Sequence, residues 1–384
     1  MLSLLTEVDE VYLHGHQLAR VGLGGNMEPL TGAKMDMVCH QMAAPVQWRM
    51  ADDGQSCIPK PKLLPERVVR QLEVPARHEA RLFRAVDEVT SAPFVSASGK
   101  IVMENGYHEE ARSILLDCPT IIAKPEHDAQ WALSYMRMLI SDFEFAGGVN
   151  GPEAASWIGA LVTLVCRPMI EGPVPALSLE AARSGSGKTL MAKMLMALMG
   201  LALAPVPMSA DEKELQKLLL SLVKTGRSMH TIDNVQLASI RSPSLAMLLT
   251  SEWYCDRTLG VSDASVYPNR ALWVLTVNNA TMNTDLARRT FRCRLAPSVA
   301  RPEDRQGYRI QDIVRHCSEN RGEILSRVLQ MVVEWVAAGR PVPADLPIMG
   351  SFEAWSRVVG GVMRYAGCDE WLTNMRQAKE EAVD

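Results

Sequence analysis

Leu177-Ser-Leu-Glu-Ala-Ala-Arg-Ser-Gly-Ser-Gly-Lys-Thr189 decides how the rest of the chain is read. It reads as a short strand, a tight glycine loop and a helix that opens at Lys188. Within it, Ala182-x-x-x-x-Gly187-Lys188-Thr189 has the spacing of a Walker A loop with Ala in place of the first Gly. Gly185 and Gly187 let the backbone curl so that several N–H groups point at one phosphate. The helix that follows adds the partial positive charge of its N-terminus. Lys188 is placed to reach the β- and γ-phosphates of a nucleotide, and Thr189 to hold Mg²⁺. Ser184 and Ser186 are small enough for close backbone approach. The expected phosphate-binding set is Ser184, Gly185, Ser186, Gly187, Lys188, Thr189 and Leu190. A chance Gly-Ser turn is the bland alternative, but Gly-Lys-Thr here falls at the strand-to-helix junction that the motif requires.

Downstream, Ser209-Ala-Asp-Glu212 reads as a capping box. The helix it opens shows Leu215, Leu218, Leu219, Leu222 and Val223 on one face, and Gly226 closes it. Ser228-Met-His-Thr-Ile232 then runs into Asp233-Asn234, a strand ending in an acidic residue. This is the Walker B arrangement, with Asp233 as a Mg²⁺ ligand, about 45 residues beyond the phosphate loop. His230 and Thr231 interrupt the usual apolar run, and Asn234 stands where a catalytic Glu is common. Glu252, near the end of a helix read over Leu245 to Trp253, is the substitute carboxylate. Asp256 to Arg270 reads as a loop or hairpin. Ala271-Leu-Trp-Val-Leu-Thr-Val277 is a continuous apolar strand, as a buried parallel strand should be, and it ends in Asn278-Asn279. An amide there sits beside the phosphate loop and suits the orientation of an attacking water. Asp285-Leu-Ala-Arg-Arg289 precedes a last strand, Thr290 to Leu295. Arg288 and Arg289 are suited to stabilise charge on a neighbouring subunit's γ-phosphate, or else to form surface ion pairs.

Outside this core the sequence carries less chemistry. Val11 to His14 and Gln17 to Val21 flank Gly15 as a hairpin. Trp48 and Met50 lie on a short extended run, and Ile58 to Pro65 is a proline-rich connection. Arg67 to Glu73 is short and mixed, and further short strands fall between Phe94 and Leu116. His14 and His16 share a strand face, but with no third ligand they read as surface histidines. Helices are expected over 128–146 and over Pro152 to Val165, and again over Ile310 to Cys317, Arg321 to Ala338 and Phe352 to Tyr365. The tail from Arg376 to Asp384 reads as solvated. The expected division is an accessory region (1–120), a nucleotide core with leading helices (125–300) and a helical subdomain (301–384).

With 47% hydrophobic residues the chain can build a sizeable core, and its net charge of −4 gives no global attraction to nucleic acid. The 8 cysteines form no C-x-x-C pair, so neither a zinc cluster nor a disulfide framework is indicated. No run of about 18 uncharged apolar residues and no signal sequence is visible, so a cytoplasmic protein without a membrane partner is expected.

In order, the loop at 182–189, Asp233-Asn234, Asn278-Asn279, Asp285-Leu-Ala-Arg-Arg289 and Arg301-Pro-Glu-Asp-Arg305 resemble the AAA+ ATPases of phages and integrated mobile elements. These primase/helicase-like proteins are similar to helicase superfamily 3. The resemblance covers roughly residues 125 to 375 and includes Ser351-Phe-Glu-Ala-Trp-Ser and Gly360-Gly361. It implies an α/β fold: an AAA+ P-loop NTPase core whose five-stranded parallel sheet lies between helices. A small β-rich N-terminal region and a C-terminal helical subdomain flank it. Five candidate strands fit, near 177–181, 204–208, 228–232, 271–277 and 291–295. It also implies ATP and Mg²⁺ as cofactors, a hexameric ring with ATP between subunits, and single-stranded or forked DNA as partner. Carried over by position, Lys188 and Thr189 are Walker A, Asp233 Walker B, Asn278 or Asn279 sensor 1, and Arg288 or Arg289 the arginine finger. No primase domain is recognisable. The expected function is a DNA replication helicase or translocase. The alternative is an AAA+ switch or scaffold that assembles with protein partners of a replication or defence system. A small-molecule P-loop kinase is a third reading, without an evident acceptor site.

Overall fold

The computed structural model describes residues 10–43, 46–52, 56–73, 80–122, 127–183, 185–235, 239–240, 242–257, 264–278, 281–282, 284–299 and 301–382. Gly15, at φ 62°, turns β1 (Tyr12–His14) back onto β2 (Gln17–Val21), and β3 (Met27–Pro29) completes an antiparallel sheet. A Cβ at Gly15 would fall 2.2 Å from the Val266 carbonyl oxygen, so only glycine fits this turn. Next come α1 (Ala33–Ala43), a hairpin of β4 (Val46–Met50) with β5 (Cys57–Pro61), and α2 (Glu66–Glu73). Helix α1 was not visible in the sequence pattern; among the described residues Met35, Val38 and Cys39 are its buried apolar positions, and Asp36 is buried beside them. The proline-rich connection is in part a strand, which Pro59 and Pro61 tolerate because both strands of a two-stranded ribbon are edges. Strands β6 (Glu88–Thr90), β7 (Phe94–Val95), β8 (Ile101–Val102), β9 (Gly106–His108) and β10 (Ser113–Leu115) follow, with β10 between β6 and β9 and β7 paired with β8. The accessory region is thus mixed α and β. The surface reading of His14 is overturned: it is buried, and its Nδ1 lies 2.8 Å from the Val86 carbonyl. His16 is exposed in the turn, so the pair makes no metal site.

The core begins with α3 (Ala129–Leu139), whose first turn is capped by Asp128 accepting from the Trp131 N–H at 2.7 Å. It stops at Leu139 and does not reach residue 146. The chain turns there so that the Ala146 N–H can bond the Arg294 carbonyl at 3.0 Å. Helix α4 (Pro152–Val165) has proline in its first turn and is buried along nearly its whole length. Then come β11 (Ala176–Ala181), α5 (Lys188–Leu198), β12 (Val206–Pro207), α6 (Glu212–Val223) and β13 (Met229–Val235). They are followed by β14 (Ser239–Ile240), α7 (Pro243–Leu249), β15 (Trp253–Arg257), β16 (Ala264–Pro268) and β17 (Leu272–Asn278). Strand β18 (Thr281–Met282), α8 (Thr284–Ala287) and β19 (Thr290–Leu295) close the core.

Five strands form one parallel sheet in the order β12-β13-β17-β11-β19. All five lie where the sequence placed strands. Apolar residues go to both faces. Leu177, Leu179, Val274, Phe291 and Cys293 pack toward α4 and α5, while Trp273, Leu275 and Ile232 pack toward α6 and α7. Helices thus cover both faces of the sheet, the architecture of a P-loop NTPase core. Two boundaries differ from expectation. Asp211, not Ser209, caps α6, accepting from the Glu214 N–H at 2.9 Å. Helix α7 ends at Leu249, and Asn269 holds its exit by donating to the Leu248 and Ser251 carbonyls at 2.7 and 3.0 Å. Trp253 therefore begins the β15–β16 hairpin instead of ending a helix.

Helices α9 (Ile313–Glu319), α10 (Arg321–Ala337), α11 (Glu353–Tyr365) and α12 (Met375–Glu380) form the C-terminal part. Trp355 and Trp371 pack on Phe291 of β19 and join this part to the core. The tail is solvated as read over most of its length, with Arg376 and Glu380 exposed, but it is tied to the core at Glu381. Glu381 bonds Arg292 at 2.6 Å, and Asn374 donates to the buried Glu153 at 3.0 Å. Among the described residues no helix is long and apolar enough to cross a membrane.

Candidate nucleotide site

Three parallel strands deliver the site. Strand β11 ends at Ala181, level with Asn278 of β17, and β17 separates β11 from β13. The C-terminal ends of β11, β17 and β13 therefore sit side by side, where ligands bind in open α/β sheets.

Beyond β11 the loop closes on itself. Gly185 and Gly187 take φ of 70° and 95°, the left-handed region that glycine enters without strain. A Cβ at Gly187 would also meet the Phe143 ring at 3.0 Å. Ser186 Oγ and Lys188 Nζ both donate to the Arg183 carbonyl, at 2.5 and 3.1 Å. Lys188 is buried; desolvation lowers its pKa, and the Asp233 carboxylate works against that. Ser184 lies outside the described residues, as does Asn279.

Thr189 Oγ1 donates to Asp233 Oδ1 at 3.0 Å, so α5 and β13 meet at these two side chains. Thr276 of β17, which sequence reading missed, also donates to Asp233 Oδ1. Its oxygen in turn accepts from the Asn234 N–H at 2.8 Å. Asn234 is left-handed, φ 58°, at a bulge where the β13–β17 register shifts. Its Oδ1 accepts from Asn278 Nδ2 at 3.0 Å. Lys188, Thr189, Asp233 and Asn278 thus lie together at these strand ends, with Thr276 and Asn234 hydrogen-bonded to Asp233 and Asn278. A hydroxyl in a strand of apolar neighbours was the one signal for Thr276.

The other predicted residues lie elsewhere. Glu252 is at the far edge of the sheet; its carbonyl accepts from the Asn269 N–H at 2.8 Å, and its carboxylate lies beside Gly172. It is no substitute for a carboxylate at position 234. Arg288 and Arg289 precede β19, and the Arg289 carbonyl accepts from Ala176 at the start of β11 at 3.0 Å. The six residues of β11, about 20 Å of strand, therefore separate them from the phosphate loop of the same chain. Both pair with Asp285. They line a cavity of about 180 Å³ with Met349, Gly350 and Ser351.

A second cavity of about 180 Å³ opens against the loop, lined by Gly185, Gly187, Leu190, Phe143, Tyr308 and Ile310 among others. Its far wall is stitched by Arg305, which donates to the Asp142 carbonyl at 2.7 Å and lies over the Tyr308 ring at 5.2 Å. These residues come from the end of α3 and the connection to α9, too far apart in sequence to form a motif.

The donor set fits Mg²⁺. A threonine hydroxyl and a carboxylate are hard oxygen ligands, and Mg²⁺ on a nucleotide needs only one or two from protein. Among the described residues no group of three or more His, Cys, Asp or Glu is arranged to hold a metal alone.

No protein-family model matches the chain. No curated protein matches it in sequence. Solved structures that it resembles include the apo C-terminal region of NrS-1, at 10% identity and a TM-score of 0.43, covering 85% of this chain and 66% of that one. The SCCmec type IV helicase Cch follows at 12% identity and a TM-score of 0.35, covering 96% and 77%. The JCV helicase matches at 16% identity and a TM-score of 0.27, covering 67% and 74%.

Proposed function

We propose that the chain is an ATP-hydrolysing AAA+ motor that works as a homo-oligomeric ring, hexameric by its resemblance, on single-stranded or forked DNA. The observation that supports it is the junction of Thr189, Asp233, Thr276 and Asn278 beside Lys188 at one edge of the sheet, with Arg288 and Arg289 at the opposite edge. In this reading residues 125–300 bind and hydrolyse nucleotide, 301–384 cover it, and 1–120 are accessory.

The glycine loop and Lys188 hold the β- and γ-phosphates, and the cavity beside Phe143 and Tyr308 takes the base. Thr189 and Asp233 hold Mg²⁺, which when bound neutralises charge on the phosphate oxygens. Asn278, its amide oriented by Asn234, positions the attacking water. Asn234 cannot accept a proton, so the site works by orientation and charge, which a loose phosphoryl-transfer transition state permits. Arg288 of a neighbouring copy completes the site.

A second reading, an AAA+ switch or scaffold that assembles with protein partners, is favoured by one observation. Asn234 stands where a base would be, and Glu252 lies at the wrong edge to replace it. ATP hydrolysis with and without single-stranded and forked DNA, at two salt concentrations, separates the two. DNA stimulation that fades with salt is the expected result. Hydrolysis indifferent to DNA selects the switch, and a fully active Lys188→Ala variant removes both readings.

A further inference from the structure

We propose that the β4–β5 hairpin is a contact for single-stranded nucleic acid, with bases stacking on Trp48 and phosphates meeting Arg49, Lys60 and Lys62. The contact lies outside the nucleotide core and deepens the DNA part of the function proposed above, on which it rests.

The hairpin is solvated on both faces. Residues 47–50 and 56–60 are all exposed, and Trp48 and Met50 each leave 64% of their surface in water. Register assigns the faces. Trp48 and Met50 pair with Pro59 and Cys57 on one side, and Gln47 and Arg49 with Lys60 and Ile58 on the other. A two-stranded ribbon whose described residues are exposed on both faces is marginal in water, and large apolar side chains left exposed on it mark a surface awaiting a partner.

The cations say which partner. Arg49, Lys60 and Lys62 form no ion pair with a described residue, whereas Lys34 and Arg70, on either side of the hairpin in sequence, pair with Glu28 and Glu66 at 2.6 Å each. These unpaired positive charges belong to a chain of net charge −4. Trp, Met and Arg are enriched at protein–protein interfaces and lysine is depleted there, so Lys60 and Lys62 are what weigh against a second copy of this chain. By register Arg49 and Lys60 project from the face opposite Trp48, so a single strand that crosses the ribbon's edge meets a π-face for its bases on one side and positive charge for its backbone on the other. Because stacking is indifferent to base identity, the contact is expected to be sequence-tolerant.

The test is fluorescence anisotropy of a labelled oligo(dT) with nucleotide-free full-length protein over a range of salt, alongside DNA-stimulated hydrolysis. Trp48→Ala is expected to weaken binding by about tenfold or more with its salt dependence unchanged. A triple variant, Arg49→Ala with Lys60→Ala and Lys62→Ala, is expected to flatten the slope of log K against log salt by about 2, three phosphates at about 0.7 each. Both variants are expected to keep basal hydrolysis and wild-type circular dichroism, since the changed side chains are solvent-exposed. Unchanged affinity and slope overturn the contact, while DNA-stimulated hydrolysis in the same samples leaves the motor standing. Weakened binding in the variants, with hydrolysis indifferent to DNA, supports the contact and overturns the motor. Wild-type DNA affinity in Trp48→Ala, combined with lost self-association or lost binding to anionic vesicles, overturns the proposal.

Discussion

Thr276 connects two otherwise separate parts of the site. Its hydroxyl donates to Asp233 and accepts from the Asn234 N–H, so one side chain sets both the carboxylate and the bulge beside it. Thr276→Val keeps the shape and removes both bonds. It is expected to lower kcat by about 10- to 100-fold, the usual cost of losing a group that orients a metal ligand. The Mg²⁺ concentration needed for half-maximal rate should rise while ATP affinity moves little, which steady-state titration of Mg²⁺ and ATP checks. His230, one strand position from Thr231, gives a second prediction at this scale. It is buried against Trp273, and desolvation lowers its pKa to about 3. The unfolded chain takes up the proton near the ordinary histidine value of 6.5, so it binds more protons than the folded chain over that window. Stability from this group is therefore full above the unfolded value and lost as pH falls below it, by about 2 kcal/mol at pH 5. Glu88, raised to about 6 by burial, moves the other way because the folded chain holds its proton more tightly. The comparison that isolates His230 is therefore His230→Leu against wild type. Urea unfolding at pH 7 and pH 5 should show the wild type losing about 2 kcal/mol more than the variant, and equal losses would remove the assignment.

The turn between α8 and β19 carries the arginine pair, and the two members are unequal. The Arg288 side chain is 59% exposed and that of Arg289 only 14%. Arg289 donates to the Asp285 carbonyl at 2.5 Å and thus braces the short helix, leaving Arg288 as the one that can reach a neighbour. Arg288→Ala is expected to reduce turnover by about 10³-fold or more with ATP affinity retained. Mixing it with Asp233→Ala subunits should restore activity, because some interfaces then combine an intact Asp233 with an intact Arg288. Absence of rescue in a titration of the two variants would assign the arginines to local structure. At this scale the sequence was legible where one force dominates. Strand β17 is buried on both faces and reads as an unbroken apolar run, and the glycine loop reads through the φ values it requires. It was opaque where partners are remote. The tail from Arg376 reads as solvated, and its one tie to the core among the described residues shows only when Arg292 and Arg294 of β19 are seen to face Glu381. Phe143 and Tyr308 line one cavity only because α3 stops short and the connection to α9 returns past the loop. Helix α1 was missed because its buried face mixes Met35, Val38 and Cys39 with the charged Asp36 and so shows no clean apolar stripe.

For the whole molecule, the sheet sets the distance between the two halves of the proposed chemistry. The phosphate loop is at the C-terminal edge of β11, and Arg288 and Arg289 are level with its first residue, about 20 Å of strand away. No side chain spans that gap, so in the proposed chemistry the loop of one copy works with the arginines of another. A closed ring supplies this by repeating one head-to-tail interface. The net charge of −4 neither drives nor forbids such assembly, and local contacts decide it. ATP turnover per chain should therefore rise with protein concentration through the assembly midpoint and level off once rings are full. Dilution should lower turnover while nucleotide binding, which uses one chain's loop, persists. Sedimentation velocity in parallel with hydrolysis rates measures both curves. If they share a midpoint, catalysis belongs to the interface. If turnover is independent of concentration down to a monomer, Arg288 and Arg289 act only within their own edge of the sheet, and the water must be activated without help from a neighbour.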